Sequence, residues 1–363
     1  MIKKLKKIVI ATGGTGGHVF PAYSLAKHFI DKKIHVQITS DKRGLRYLLD
    51  INDVKKINIM SSTIDKNNIF KFLISAFIIL YSFFRSFIFL LFNRPNLVFG
   101  MGGYASFPVC VAARMLGIPL IIYENNLHIG KANKYLQYAA KKIFVSFADL
   151  DGISNKHKNK ICEIGNIIRK EMLNFQSKID LSGKIRILIL GGSQAAKIFG
   201  EKLPIIFEEC NDAKIPFEIY QQCIPEQNEI LSSFYSNLNL NYEIFNFSNN
   251  ISKYFSKTNL AITRSGSSML AELTNAKIPF ISIPLPTSAD NHQLKNAIHY
   301  EKNQYSYLIE EKDLDKKLFK LIKQIHEDRS LLNQIINKQK QYSDKKVYEN
   351  IDREINNIFN EEN

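Results

Sequence analysis

The chain has 363 residues, enough for two domains with substantial cores, and its formal net charge is +15. Its four cysteines include no CxxC pair and no close histidine partner, which gives no support for a zinc site and fits a reducing compartment. Only four apolar residues follow the basic residues 1–7 before a run of glycines, so we expect no secretory signal.

The excess positive charge lies in the first half of the chain. Residues 1–170 carry 26 Lys and Arg against 9 Asp and Glu, whereas the remainder carries 23 against 25. This asymmetry predicts that the first half meets an anionic surface. Nucleic acid fits poorly, because the sequence has no zinc finger, RNP pattern or basic base-reading helix. An anionic membrane leaflet is the other candidate.

The first motif is a glycine turn between a predicted strand at residues 8–11 and a predicted helix that contains Pro21 in its first turn. A glycine turn that runs into a helix N-terminus is a ready anion site, since free N–H groups and the helix dipole point the same way. A P-loop would continue with Gly-Lys-Ser/Thr, which is absent here. An NAD fingerprint would place a small residue at Val19 and an acid after the second strand, where Asp41 is the only candidate, so an oxidoreductase is disfavoured.

Predicted strands and helices then alternate, which favours a parallel sheet covered on both faces. The predicted elements of the first half are a helix at 43–49, a strand at 56–59, a long apolar run at 70–92, a strand at 95–99 that opens onto a second glycine turn at 100–104, a helix at 105–116, a strand at 120–123, a helix at 131–139 and a strand at 143–147.

Apolar residues become sparse between residues 163 and 184. The alternation of strands and helices then resumes with a strand at 185–190 that leads into a third glycine turn. Further strands are predicted at 217–221, 242–247, 260–263 and 280–283, and polar helices follow. We therefore expect an N-terminal domain at 1–165, a linker at 166–184, a second domain at 185–345, and a helix at 346–363 that packs back on the first domain. Ligands of such sheets bind at the carboxyl ends of the strands, which predicts a site in a cleft between two α/β domains.

The apolar segment at 72–92 contains one charge, Arg85, and as a helix would be long enough to cross a bilayer. Its polar residues recur at helical spacing, and a true span would separate the predicted strands at 8–11 and 97–99. We expect a domain helix with one buried face, whose apolar face, including Phe83 and Phe87, dips into lipid. A fully buried core helix is the open alternative.

Four motifs in this order resemble the MurG family of lipid-linked N-acetylglucosamine transferases, which are GT-B glycosyltransferases with two Rossmann-like domains. The matching segments are residues 13–21, 100–104, 191–194 and 264–266. Some positions depart from the family pattern. Tyr123-Glu124-Asn125-Asn126 replaces His-Glu-Gln-Asn, residues 165–169 lack a proline, Met269 replaces a threonine, and the loop at 286–293 is one residue longer.

The resemblance implies a metal-independent, cofactor-free reaction in which GlcNAc moves from UDP-GlcNAc to the C4 hydroxyl of undecaprenyl-diphospho-MurNAc-pentapeptide, with inversion at the sugar carbon. A departing diphosphate then needs positive potential from helix N-termini, backbone amides and cations. His18 is the candidate general base, and packing of the first glycine turn is its alternative role. Enzymes of this kind work peripherally at the cytoplasmic face of the bacterial membrane.

The resemblance also implies the ligand contacts, with Glu272 on the ribose, Asn126 and Gln293 on the sugar hydroxyls, and Ser248 offering its backbone to uracil. The residues implied for UDP-GlcNAc are Thr15, Gly16, Gly17, Asn126, Arg169, Ser193, Ser248, Arg264, Ser267, Ser268, Met269, Glu272 and Gln293. Those implied for the acceptor are Gly102, Gly103, Tyr104 and Glu124. A synthase for another lipid acceptor, or a non-catalytic member of the same fold, remains open.

Overall fold

The computed structural model describes residues 5–49, 51–62, 68–175, 180–193, 195–248 and 250–360. The chain divides into two compact units, which we call unit 1 (Met1–Arg169 with Lys345–Asn363) and unit 2 (Lys170–Asp344). Each unit contains one parallel sheet, which confirms the prediction of two Rossmann-like α/β domains.

Unit 1 has seven strands in the order β3-β2-β1-β4-β5-β6-β7, all parallel. The interior strand β1 is almost wholly buried, as its apolar run predicts for a sheet covered on both faces. The strands are β1 (Lys7–Ala11), β2 (His35–Ser40), β3 (Lys55–Asn58), β4 (Leu97–Gly100), β5 (Leu120–Glu124), β6 (Lys142–Val145) and β7 (Ile161–Glu163). The helices are α1 (Gly16–Asp31), α2 (Lys42–Leu45), α3 (Ile69–Asn93), α4 (Ser106–Met115) and α5 (Lys131–Leu136).

Unit 2 has six parallel strands in the order β10-β9-β8-β11-β12-β13. Its core joins strand residues such as Ile187 and Ile262 to helix residues such as Phe207 and Leu318. The strands are β8 (Ile185–Leu190), β9 (Phe217–Gln222), β10 (Asn241–Phe245), β11 (Leu260–Thr263), β12 (Phe280–Ser282) and β13 (Tyr307–Leu308). The helices are α6 (Lys170–Leu173), α7 (Lys197–Asp212), α8 (Asn228–Asn237), α9 (Ser252–Phe255), α10 (Ser267–Asn275), α11 (His292–Lys302), α12 (Leu314–Glu327) and α13 (Ser330–Gln339).

Helix α3 buries its serines and exposes most of its large apolar side chains. Ser75, Ser82 and Ser86 are buried, and Ser82 Oγ donates a 2.8 Å hydrogen bond to the carbonyl oxygen of Met60. The outward apolar residues, each more than half exposed, are Ile69, Phe70, Leu73, Ile74, Phe77, Leu80, Phe84, Ile88 and Phe92. A fully buried core helix is therefore the wrong interpretation.

Two residues expected on the outer face of α3 are not there. Phe83 and Phe87 are partly buried and pack against the core cluster that includes Val109 and Ala113 of α4. The spacing of the serines predicts that α3 has two faces. It does not predict that Phe83 and Phe87 lie at the edge of the buried face.

Helix α3 is the one helix, within the described ranges, that is long and apolar enough to cross a membrane, and only 22% of its most apolar window is buried. The strands on either side of it, β3 and β4, belong to the same parallel sheet. The helix is thus the connection between two strands of one sheet.

The last helix, α14 (Val347–Asn360), belongs to unit 1 and packs on α1. Asp352 Oδ1 lies 2.9 Å from His28 Nε2, and Asp352 also pairs with Lys32. The His28 ring stacks on Tyr348 at 4.6 Å between centroids, and the Tyr348 hydroxyl donates to the carbonyl oxygen of Ile168 at 2.7 Å.

Candidate active site

The first glycine turn is held by Asp41, at the end of β2. Asp41 Oδ1 accepts 3.0 Å hydrogen bonds from the amides of Gly14 and Gly44, and Oδ2 accepts from Ser61 and Arg43. Burial acts to raise the pKa of Asp41, but these four donors outweigh it and place the pKa below its ordinary value. The carboxylate is a structural anchor of the turn, which further disfavours a role on an NAD ribose.

The first and second glycine turns touch through their backbones. Gly102 and Gly103 have φ of +87° and +80°, a region that other residues rarely adopt. A Cβ added at Gly103 would lie 2.4 Å from the carbonyl oxygen of Gly13. One added at Gly102 would lie 2.9 Å from His18 Cε1 and Nδ1, so the imidazole rests against this second turn. The structure therefore places His18 against Gly102, one of the residues predicted for the acceptor.

The loop after β5 joins this arrangement through a chain of amide side chains. Asn125 donates from Nδ2 to the carbonyl oxygen of Gly17 at 3.2 Å, and Asn126 Nδ2 donates to Asn125 Oδ1 at 3.1 Å. Glu124, only 2% exposed, accepts from Asn126 at one oxygen and from Gly130 and Asn133 at the other. Glu124 thus organises the loop that carries Asn126. Asn125 was not among the predicted site residues.

In unit 2 the third glycine turn is connected to the neighbouring strand by Gln222. Gln222 Oε1 accepts from the amide of Gly191 at 3.2 Å, while Nε2 donates to the carbonyl oxygen of Asn246 at 3.1 Å. This links the turn that carries Ser193 to the segment that carries Ser248. The motif residue Gln194 lies outside the described residues. The sequence analysis did not predict a role for Gln222. The feature that could have indicated one is an amide residue at the end of a predicted strand.

The turn after β11 leads into α10, whose N-cap is Gly266. Ser267 is buried at the first helical position, Ser268 and Met269 are partly exposed, and Glu272 lies one turn further along at 5% exposure. The first amides of a helix lack intrahelical partners and carry the positive end of its dipole. This helix end is suited to an anionic group.

Arg264 precedes that helix and is buried. Its guanidinium donates to the carbonyl oxygens of Ile283 and Pro284 at 3.3 and 3.2 Å, pairs with Glu311, and stacks over the Phe199 ring at 4.8 Å. Its visible contacts are therefore with the protein.

The remaining predicted donor residues are placed as follows. Gln293 Oε1 accepts from the amide of Leu285 at 3.0 Å and so closes the loop before α11. Ser248 Oγ accepts from the amide of Asn250 at 3.2 Å. Thr15 is the exposed N-cap of α1, and Arg169, the last residue of the first segment of unit 1, is half-buried. The predicted site residues that belong to unit 1 are Thr15, Gly16, Gly17, His18, Gly102, Gly103, Tyr104, Glu124, Asn126 and Arg169.

Across the described ranges, no group of three or more His, Cys, Asp or Glu side chains could hold a metal ion.

Two family domains match the sequence. The N-terminal domain of glycosyltransferase family 28 matches residues 8–145, and the C-terminal domain of the same family matches residues 186–353. The chain belongs to glycosyltransferase family 28. This family-28 chain is a hexosyltransferase of GT-B fold, and its two sheets are the expected Rossmann-like pair.

Relatives within the family are similar over nearly the whole chain. A protein of Pelagibacter ubique named UDP-N-acetylglucosamine--N-acetylmuramyl-(pentapeptide) pyrophosphoryl-undecaprenol N-acetylglucosamine transferase is 37% identical, covering 98% of this chain and 99% of its own. A Rickettsia canadensis protein of the same name is 35% identical over 85% of this chain and 87% of its own. The crystal structure of Acinetobacter baumannii MurG aligns with a TM-score of 0.74 at 26% identity, covering 95% of this chain and 98% of that one.

Proposed function

We propose that this enzyme transfers GlcNAc from UDP-GlcNAc to the C4 hydroxyl of undecaprenyl-diphospho-MurNAc-pentapeptide, forming a β-1,4 linkage with inversion. The observation that carries the proposal is the 37% identity, along 98% of the chain, with the transferase of that name. The reaction needs a base and an anion site, and the contact of His18 with the second glycine turn and the helix N-terminus at α10 support the proposal.

In unit 1, His18 is the proposed general base on the acceptor hydroxyl. Its ring rests on Gly102, and its helix begins at the turn that Asp41 and Asn125 hold. Gly103 and Tyr104 extend this surface, and Tyr104 is 38% exposed, so its ring is available to an acceptor. The buried Glu124 contributes to acceptor binding by fixing its own loop.

In unit 2, the N-terminus of α10, where Ser267, Ser268 and Met269 lie, is proposed to receive the diphosphate, with Ser193 assisting from the third turn. Glu272 accepts hydrogen bonds from the ribose hydroxyls, since it lies one helical turn beyond Ser268. The segment of Ser248 binds uracil. Gln293 completes the proposed donor contacts of unit 2. The chemistry of Asn126 and Arg169, which belong to unit 1, suits sugar hydroxyls and phosphate.

Unit 1 is proposed to dock on the anionic cytoplasmic leaflet through the outer face of α3. Phe70, Phe77 and Phe84 are 76%, 70% and 55% exposed along one helix. The excess of basic residues in the same half of the chain adds attraction to anionic lipid of about 1 kcal/mol for each cation that reaches the surface. The polyprenyl tail of the acceptor stays in the bilayer, so such docking brings the second glycine turn within its reach.

The reaction is tested with purified enzyme, UDP-GlcNAc and the lipid-linked MurNAc-pentapeptide in detergent micelles. We expect UDP release that depends on both substrates and a product larger by one GlcNAc in mass spectrometry. Thermal shifts with UDP-GlcNAc, UDP-glucose and NADH give an independent check, because only the uridine nucleotides should stabilise the protein. Donor binding without transfer to this acceptor would instead favour a synthase for another lipid.

A further inference from the structure

The side chain of Arg264 connects three segments to which the donor site is assigned. It lies in the turn that precedes α10, and its guanidinium stacks on Phe199 of α7, the helix that follows the third glycine turn. It also donates to the carbonyl oxygens of Ile283 and Pro284, at the start of the loop that Gln293 closes. One buried cation thus contacts the chain at all three places.

A buried cation needs a partner charge, because an isolated charge in a protein interior is strongly disfavoured. The Arg264 side chain is 8% exposed, and the carboxylate that pairs with it belongs to Glu311. Glu311 stands in the short helical turn Glu311–Asp313 before α12, well outside the glycine motifs. Its own side chain is 24% exposed.

We propose that Glu311 is a positioning residue of the donor site. It neutralises and orients Arg264, so that Arg264 holds α7, the start of α10 and the 284–293 loop in the arrangement that receives the uridine diphosphate group. This inference rests on the proposed function for the place of the donor. It assigns the guanidinium of Arg264 to the scaffold, and it leaves the helix amides to meet the diphosphate.

The neighbouring Glu310 provides a matched control. It is 43% exposed at its side chain and pairs with Lys312 at 3.1 Å on the surface, where ion pairs contribute little. Glu310→Gln and Glu311→Gln therefore make the same chemical change one residue apart, but only the second removes the partner of a buried charge.

The first experiment measures UDP affinity by calorimetry and the kinetic constants for UDP-GlcNAc in both variants. For Glu311→Gln we expect UDP to bind about 10- to 100-fold more weakly and KM for the donor to rise, with a smaller fall in kcat at saturating donor. Glu310→Gln should match the wild type. A folded Glu311→Gln protein with a lower melting temperature but UDP affinity within about twofold of wild type would make Glu311 merely structural.

A second experiment tests whether the two residues act as a unit. If Glu311 works through Arg264, the double variant Arg264→Gln/Glu311→Gln should bind UDP no more weakly than Arg264→Gln alone. Additive losses would overturn the proposal. Glu311→Asp, which keeps the charge, should recover part of the affinity.

If Glu311→Gln does not fold, hydrogen exchange on the wild type decides. Added UDP should slow exchange of amides at residues 311–314 as well as 264–269, and unchanged exchange at 311–314 would contradict the coupling. A wild type that binds no UDP at all refutes the proposed function itself, whereas UDP binding that is indifferent to Glu311 refutes only this inference.

Discussion

The two units have the same kind of sheet but hold their glycine turns by different means. In unit 1 the turns meet backbone against backbone, with Gly103 over the carbonyl of Gly13. In unit 2 the corresponding segments are joined by long side chains, through Gln222 and through the Arg264–Glu311 pair. A side chain added at the glycine turns of unit 1 therefore overlaps other atoms. A substitution at the supports of unit 2 removes a polar contact, and we expect its effect on function to be partial.

The units also differ at their surfaces. Unit 1 contains the outward apolar face of α3, and the first 170 residues contain all of the excess positive charge. Among the described residues of unit 2, the exposed large apolar side chains, such as Ile205 and Ile230, are scattered. Scattered apolar residues are normal on a soluble surface, but a continuous face is typical of an interaction site.

The largest effect is expected for Gly103→Ala, which tests the backbone contact directly. The added methyl would overlap Gly13 at a positive φ, and we expect a loss of roughly 3–5 kcal/mol in the free energy of unfolding, with loss of transfer activity. Gly117→Ala is the control, since its φ is +69° with open space around it, and should lose only about 1 kcal/mol. Equal losses in urea denaturation would show that the contact between the turns is unimportant.

The next effect concerns the chemistry of unit 1. His18→Ala should slow GlcNAc transfer by roughly 10²- to 10⁴-fold, the usual contribution of a positioned base, while UDP-GlcNAc binding is retained. Single-turnover rates and donor affinity measured on the same protein separate the two effects. Lost donor binding with an unchanged chemical rate would reduce His18 to a packing residue of the turn.

The surface contrast is sharpened by serine substitutions on each unit. Phe77→Ser and Phe84→Ser should each weaken binding to phosphatidylglycerol vesicles by about 10-fold or more, since an inserted phenylalanine contributes roughly 1.5–3 kcal/mol. Ile230→Ser, a 69% exposed apolar residue of unit 2, should change nothing.

High salt should release much of the wild type from the same vesicles, because it screens the basic residues. Retention in salt and alkaline carbonate, with release by detergent only, would mean that α3 crosses the bilayer.

A graded effect is expected in unit 2 for Glu272→Gln. The variant should bind UDP-GlcNAc about tenfold more weakly, because a carboxylate accepts hydrogen bonds from both ribose hydroxyls more strongly than an amide does. The 2′-deoxyuridine donor should lose less affinity. If both donors weaken equally, Glu272 does not contact the ribose.

The smallest effect is expected at the helix that closes unit 1. Burial acts to raise the pKa of Asp352, but hydrogen bonds from His28 and Lys32 lower it below the ordinary value of 3.8. Its ionised form therefore stabilises the fold above about pH 4, and this contribution disappears as pH falls through the lowered pKa. Asp352→Asn should cost about 1 kcal/mol at pH 7 and almost nothing in strong acid. Chemical denaturation at several pH values measures this difference.

The strands and turns were predictable because their local chemistry is unambiguous. Buried parallel strands such as β1 and β8 are continuous apolar runs, and the observed β8 and β11 have the predicted bounds. The edge strands β7 and β13 were not predicted. They have only three and two residues, respectively, which is too short for a recognisable apolar pattern.

The supports of the site were not predictable from spacing. Gln222 lies 31 residues from Gly191, and Glu311 lies 47 from Arg264, so only the folded topology reveals these pairs. The outward apolar face of α3 was expected, but the partly buried positions of Phe83 and Phe87 were not. Burial rules place apolar residues inside, and this helix does the reverse with its serines.

The position of α14 in unit 1 has a consequence for the order in which the two units can fold during synthesis. Residues 170–344 are one continuous piece, whereas unit 1 also needs residues 345–363, which leave the ribosome after all of unit 2. During translation, unit 2 is therefore complete before unit 1, because unit 1 still lacks α14. Until Tyr348 and Asp352 have emerged, the side of α1 that carries His28 lacks the contacts that α14 makes with it.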